Sequence, residues 1–218
     1  GVEKWAHQMN PFFTGRAILS QNVAIVNNFF YFFCYFLLEF RPALWNRTPM
    51  SQHKLTWGDV MELKKYKPYL IGIAAVEAVG AASALLTRNA VKDFNMYAAQ
   101  PPLTPPEPVF PIAWGILYAL MGISVTRIWL QPESKARSRG LNLFVIQLVM
   151  NFFWTLIFFN AAAYGAAAIW LVALWVAVLL MILQFYKVDR IAAWLQVPYL
   201  LWLTFAAYLN FGVWILNS

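Results

Sequence analysis

Three apolar stretches carry wide or polar side chains at helical spacing, and these are the residues able to build a site. Phe110, Trp114 and Tyr118 recur every four residues, while Gln147, Asn151, Trp154 and Phe158 follow at intervals of four, three and four. Trp194, Pro198, Trp202 and Ala206 again repeat every four. At 3.6 residues per turn, each set shares one helix face. Aromatic planes among a few carboxamides suit a cleft for a flat, mostly apolar ligand. The same spacing also describes the packing surface of an ordinary helix bundle, and periodicity does not separate the two readings. Gln147 and Asn151 carry more information than the rings, because an unpaired amide in hydrocarbon is costly and turns towards a bundle interior. Glu77 is the acid nearest the middle of an apolar stretch, so it has either a functional role or a structural hydrogen bond. Asn210 is expected to reach the membrane interface and bond the connection between the first two helices.

Conventional enzymatic chemistry finds no support. No nucleophile with a base, paired carboxylates, Walker loop or dinucleotide fingerprint stands in a suitable context, so hydrolysis and phosphoryl transfer are not expected. His7 and His53 lack metal-ligand spacing, and the single Cys34 forms no intrachain disulfide. No obligatory cofactor follows from these residues.

The elements that must position the rings and amides are read from hydropathy. Of 218 residues, 61% are hydrophobic and 11% charged, against roughly 25% charged in an average soluble domain. A hydrocarbon layer of about 30 Å needs about 20 apolar residues per helix. Runs at 68–88, 104–130, 139–160, 164–186 and 190–216 meet that length and lack the alternation of a barrel strand. The expected fold is an all-α integral membrane protein, a five-transmembrane-helix bundle over 67–218 with an additional N-terminal hydrophobic helix. That helix falls at about 17–40, its apolar core at 23–40, and a capped amphipathic helix at about 56–67 is expected to lie in the headgroup layer.

Charge supports this layout. Arg41, Arg47, Lys54, Lys64, Lys65, Lys67, Arg127, Lys135, Arg137, Arg139, Lys187 and Arg190 fall on one side of the alternation, and only Arg88 and Lys92 on the other. The richer side should be cytosolic or matrix-like. The net charge of +7 thus reflects topology rather than affinity for nucleic acid. Within the second helix, Thr104, Pro105 and Glu107 predict a capping box, with a bend from Pro108 and Pro111 before Trp114. Ala74, Ala78 and Ala82, with Gly72 and Gly80 nearby, predict a close helix contact.

Specific strings then match a known family. Pro101-Pro102-Leu103-Thr104-Pro105-Pro106, Val109-Phe110-Pro111, Trp114 and Leu117-Tyr118 resemble the first loop and second helix of the tryptophan-rich sensory protein (translocator protein, TspO/MBR) family. Gln147, Asn151, Trp154 and Phe158-Phe159 resemble its third helix. Val188-Asp189-Arg190, Pro198-Tyr199-Leu200-Leu201-Trp202, Phe205-Ala206 and Leu209-Asn210 resemble its fifth. Together they cover residues 68–218. The resemblance implies a five-helix bundle, commonly a homodimer, in a mitochondrial or bacterial membrane. It further implies a pocket lined by Trp114, Asn151, Trp154, Trp202 and Ala206, taking porphyrins such as protoporphyrin IX or haem, cholesterol, or synthetic benzodiazepine-type and isoquinoline compounds. In some members, tryptophans matching Trp114 and Trp202 are implicated in light-dependent porphyrin degradation. Phe94-Asn95 and Gln100 depart from the family pattern before the proline-rich loop, and no basic residue follows Tyr208, so the sterol motif is incomplete.

Three functions are therefore expected, in this order. The first is a membrane receptor or transporter binding a porphyrin-like ligand in the bundle, the second an accessory subunit of a larger membrane complex recruited through residues 1–66, and the third a light-dependent porphyrin-degrading protein. Membrane lipids are partners in each.

Overall fold

Long apolar runs satisfy their backbone groups in lipid as helices, and all the regular structure among the described residues is helical. The computed structural model describes residues 57–218, with side chains from Tyr66 onward. The expected 17–40 helix, Cys34, His7 and His53 lie outside the described residues. The helices are α1 Trp57–Tyr97, α2 Val109–Trp129, α3 Lys135–Thr155, α4 Tyr164–Tyr186, α5 Arg190–Trp194 and α6 Val197–Leu216, with a π-helical turn Leu156–Asn160 ending α3. Among the described residues, five spans are long and apolar enough to cross a membrane, the last made of α5 and α6 together. At about 1.5 Å per residue, even the 21-residue α2 reaches across the hydrocarbon core. Large side chains such as Leu85, Ile169 and Ile215 point outward, as lipid contact requires. The chain is an integral membrane protein.

Four expectations are corrected. First, the amphipathic stretch and the first span are one helix, passing through Pro68 and continuing beyond Arg88 to Tyr97. Hydropathy marks where lipid ends; helical hydrogen bonding need not stop there, so Arg88, Lys92 and Asp93 simply extend α1. Second, α3 begins earlier than Arg139, at Lys135, because Ser134 caps it by accepting from the Arg137 N–H at 3.1 Å.

Third, α2 does not begin with a Thr104 capping box. In the Pro101–Phe110 segment, the Thr104 hydroxyl donates back to the Pro101 carbonyl at 2.8 Å and Leu103 adopts a left-handed φ of 70°. Thr104, Pro105 and Glu107 each precede a proline, whose ring disfavours the α conformation of the residue before it. The helix starts at Val109, directly after Pro108, and Pro111 sits in its first turn, where a missing N–H is harmless. The prolines set the start of α2.

Fourth, the alanine stripe of α1 faces outward. Ala74, Ala78 and Ala82 are exposed, whereas Gly72 is half-buried and Val76, Gly80, Ser83 and Thr87 are buried. Close approach does occur, but through glycine. A Cβ on Gly122 would stand 2.5 Å from Ile73 Cα and 2.9 Å from the Gly72 carbonyl carbon, and one on Gly80 would enter the Tyr118 ring. The α1 and α2 backbones therefore touch.

The other helices complete a closed ring of neighbours. Ser83 on α1 shares a 2.6 Å hydrogen bond with Thr155 at the end of α3. α4 packs between α3 and α6 through Ala167, Leu171, Leu174, Val178, Met181 and Phe185, a 4-3-4-3-4 seam suited to near-parallel packing on both sides. The Trp170 indole N–H reaches across to the Met150 carbonyl at 2.8 Å. α5 joins α2 at the basic end, where Ser124 donates to the Ala192 carbonyl at 2.7 Å and Arg127 pairs with Asp189 at 2.8 Å. Asp189 also caps α5 by accepting from the Ile191 and Ala192 N–H groups. Beyond the far end of α6, Asn217 holds Ala99 twice, accepting from its N–H and donating to its carbonyl, each at 2.9 Å.

Candidate functional site

The glycine contact decides where Tyr118 stands. With Gly80 of α1 against its ring, Tyr118 is confined to the bundle interior, and its hydroxyl accepts from Asn151 Nδ2 on α3 at 3.0 Å. One turn away on α2, the Trp114 ring lies 5.3 Å from that of Tyr118, 6.2 Å from Tyr199 and 6.4 Å from Trp202. Trp202 in turn lies 5.9 Å from Phe205. The contacts of Trp114 with α6 are edge-to-face and that with Tyr118 is tilted, arrangements favoured by the ring quadrupole. Trp114 is half-buried while Tyr118, Tyr199 and Trp202 are buried, so the group presents one accessible indole above three enclosed rings.

α6 can contribute both Tyr199 and Trp202 because the last span is interrupted. Pro198 has no N–H to continue the ladder from α5, and the chain steps through Leu195 and Gln196 before resuming at Val197. The step changes the helix face. Trp194, expected beside Pro198 and Trp202, is instead 49% exposed, while Pro198 and Trp202 are buried. Ala206 lies one turn beyond Trp202 and is half-buried.

Trp154 and Phe158 belong to a second group. Their rings stack at 5.3 Å, and Phe158 also contacts Phe94, Phe159 and Tyr164 at 5.2, 4.8 and 5.2 Å. The Trp154 indole N–H donates to Asn210 Oδ1 at 3.1 Å, and Asn210 Nδ2 donates to the Tyr164 carbonyl at 2.9 Å. Asn210 therefore joins α3, α4 and α6 inside the bundle, where the sequence reading placed it at the interface with the first connection. The π turn after Thr155 widens the backbone beside Phe158 and Phe159, and the following turn holds Ala162 at a left-handed φ of 47°.

The amides separate by partner. Asn151 Nδ2 is used, but Asn151 Oδ1 and both amide atoms of Gln147 are buried with no hydrogen-bond partner among the described residues. Two residues the sequence reading assigned no role share this condition: both amide atoms of Gln196, and the Tyr199 hydroxyl. Their signal was present as a glutamine within an apolar span and a tyrosine inside a quoted string. Glu77 is half-buried on α1, one turn before Gly80. Phe110 belongs to the proline-rich segment Pro101–Phe110, a unit apart from the rest of the described helices.

Comparison with known proteins settles the family. The profile described as "TspO/MBR family" matches residues 72–215, well over half the chain. The chain belongs to the TspO/MBR family. Among its relatives, Protein CrtK of Rhodobacter capsulatus is 35% identical over 158 residues, 72% of this chain and 95% of the relative. Tryptophan-rich protein TspO of Archaeoglobus fulgidus is 36% identical over 146 residues, 67% of this chain and 94% of the relative. Translocator protein of Sus scrofa is 35% identical over 149 residues, 66% of this chain and 87% of the relative. The TspO/MBR match begins at α1 residue 72 and spans both ring groups.

Proposed function

We propose that this TspO/MBR chain is a membrane receptor or carrier for a flat apolar ligand, a porphyrin above all, held against Trp114, Tyr118 and Trp202 with Asn151 beside them. The observation that carries the reading is that Trp114, half-buried at the margin, gathers Tyr118 of α2 with Tyr199 and Trp202 of α6, while Tyr118 holds the buried Asn151 carboxamide. Aromatic faces supply area at low entropic cost, and the amide supplies orientation. Relatives named as sensory and translocator proteins agree with binding and passage rather than hydrolysis. Trp154 and Phe158 act mainly as the rigid wall behind this group, since Asn210 fixes the Trp154 ring. Protein in lipid nanodiscs should quench protoporphyrin IX fluorescence saturably, and Trp202→Ala should weaken the affinity about tenfold, as loss of a central aromatic contact does. An unchanged titration for Trp202→Ala rejects the site.

A second reading rests on the residues before the family match. CrtK is covered almost completely by a match to 72% of this chain, and the family match starts only at residue 72, so most of the 1–66 extension is additional to the shared bundle. It fits recruitment as an accessory subunit of a larger membrane assembly. Gentle detergent extraction from the native membrane followed by native electrophoresis should then give a mass well above a dimer, falling to monomer or dimer when residues 1–66 are removed. A full-length chain that already migrates as monomer or dimer counts against recruitment.

A further inference from the structure

The unpartnered buried atoms lie at neighbouring levels of the bundle. Asn151 bonds Tyr118, and Tyr199 contacts Trp114 one turn away on the same helix, so Asn151 and Tyr199 flank one stretch of α2. Gln147 precedes Asn151 by four residues and Gln196 precedes Tyr199 by three, which places both about 5 Å nearer the basic end. That is also the direction of the Ser124–Ala192 contact. Gln147 and Gln196 are 0% exposed, and Asn151 and Tyr199 are 1% exposed. Six polar atoms are thus withdrawn from both water and lipid without partners among the described residues. Leaving them so is strongly unfavourable, and native interiors satisfy such groups with water or a bound group.

Their chemistry specifies the complement. Oδ1 of Asn151 and Oε1 of Gln147 and Gln196 require donors, whereas the two Nε2 groups and the Tyr199 hydroxyl supply them. No formal charge stands among these residues. A carboxylate could accept from the amide N–H groups but would leave the three carbonyl oxygens without donors, an ammonium would leave those N–H groups without acceptors, and either would bury a charge with no counter-charge among these four residues. We propose that Gln147, Asn151, Gln196 and Tyr199 form a hydrogen-bonding chamber below the ring group that takes a neutral group able both to donate and to accept, supplied by ordered water or by the hydroxyl of an apolar ligand. Gln196 and Tyr199 are its specificity-determining residues. The chamber discriminates against an acid, so the carboxylates of any porphyrin must lie away from it.

Two arms test this, and only the second rests on the ligand-binding reading. In the first, Gln196→Met, Gln147→Met and Tyr199→Phe remove polar atoms at nearly constant volume. If the chamber is occupied, each lowers the melting temperature by about 3 °C or more, and a high-resolution map shows a bound group within hydrogen-bond distance of Gln147 and Gln196. If the atoms were merely orphaned, the same substitutions would raise the melting temperature, and the proposal falls. In the second, 2-naphthol, 2-methylnaphthalene and 2-naphthoate are titrated against tryptophan fluorescence. Naphthol binding about fivefold tighter than methylnaphthalene, with the difference lost in Tyr199→Phe, places a ligand hydroxyl in the chamber. Equal affinities with the bound group still in the map assign the chamber to water. Tightest binding by naphthoate overturns the proposal. If none of the three binds, the ligand-binding reading is in difficulty while the first arm still decides the chamber.

Discussion

Gly122→Val should destabilise the bundle by about 3 kcal/mol or more, the largest effect of any single substitution considered for this chain. The reason is what the new atoms would meet. A Cβ at Gly122 already lies 2.5 Å from Ile73 Cα and 2.7 Å from Ile73 N, and main chain cannot rotate aside as a side chain can. The γ carbons of valine add to the conflict, so α1 must retreat from α2. Retreat withdraws Gly80 from the Tyr118 ring, and with it the constraint that presents the Tyr118 hydroxyl to Asn151. Equilibrium unfolding in mixed SDS micelles measures the loss. Ala74 on α1 faces outward, and Ala74→Val should stay within about 0.5 kcal/mol of the parent. Equal stability of the two variants would remove the close α1–α2 crossing.

Asn210→Leu comes next, with an expected loss of about 2–3 kcal/mol. Leucine fills similar space but leaves the Trp154 indole N–H and the Tyr164 carbonyl without their partner inside the bundle. The indole N–H cannot turn to water from that position, since Trp154 is 8% exposed and held by Phe158. The penalty should shrink by at least about 0.5 kcal/mol in a Trp154→Phe background, where the orphaned indole N–H no longer exists. A double-mutant cycle by the same micelle titration checks it. Strict additivity would show that the indole N–H does not depend on Asn210.

The bundle was legible in the sequence to very different depths. Tyr164–Tyr186 was read with its observed bounds because an unbroken apolar run lies between a turn and Lys187. The ends of α1 were not, because charge at Arg88 and Lys92 signals the lipid boundary and carries no instruction to stop a helix. Thr104 and Glu107 had the right spacing for a cap, and the prolines between and after them overruled it by restricting the residues before each. For the site, periodicity grouped Trp114 with Tyr118 and Gln147 with Asn151 correctly in space. It failed at Trp194, since a constant 3.6-residue repeat assumes an uninterrupted helix and Pro198 breaks that assumption. It also could not divide Trp154 from the Trp114 group. That division depends on Asn210 and Tyr164, which are distant in sequence and meet Trp154 only after α3, α4 and α6 have assembled.

The paired bonds between Asn217 and Ala99 bear on how the fold opens. A helix terminus ordinarily frays alone, at almost no cost. Here the last turn of α6 and the exit of α1 must let go together, because one carboxamide grips both the N–H and the carbonyl of the same peptide neighbourhood. Loosening of either element is thereby converted from an independent local event into a shared one, and hydrogen exchange at residue 99 reports on the far end of α6.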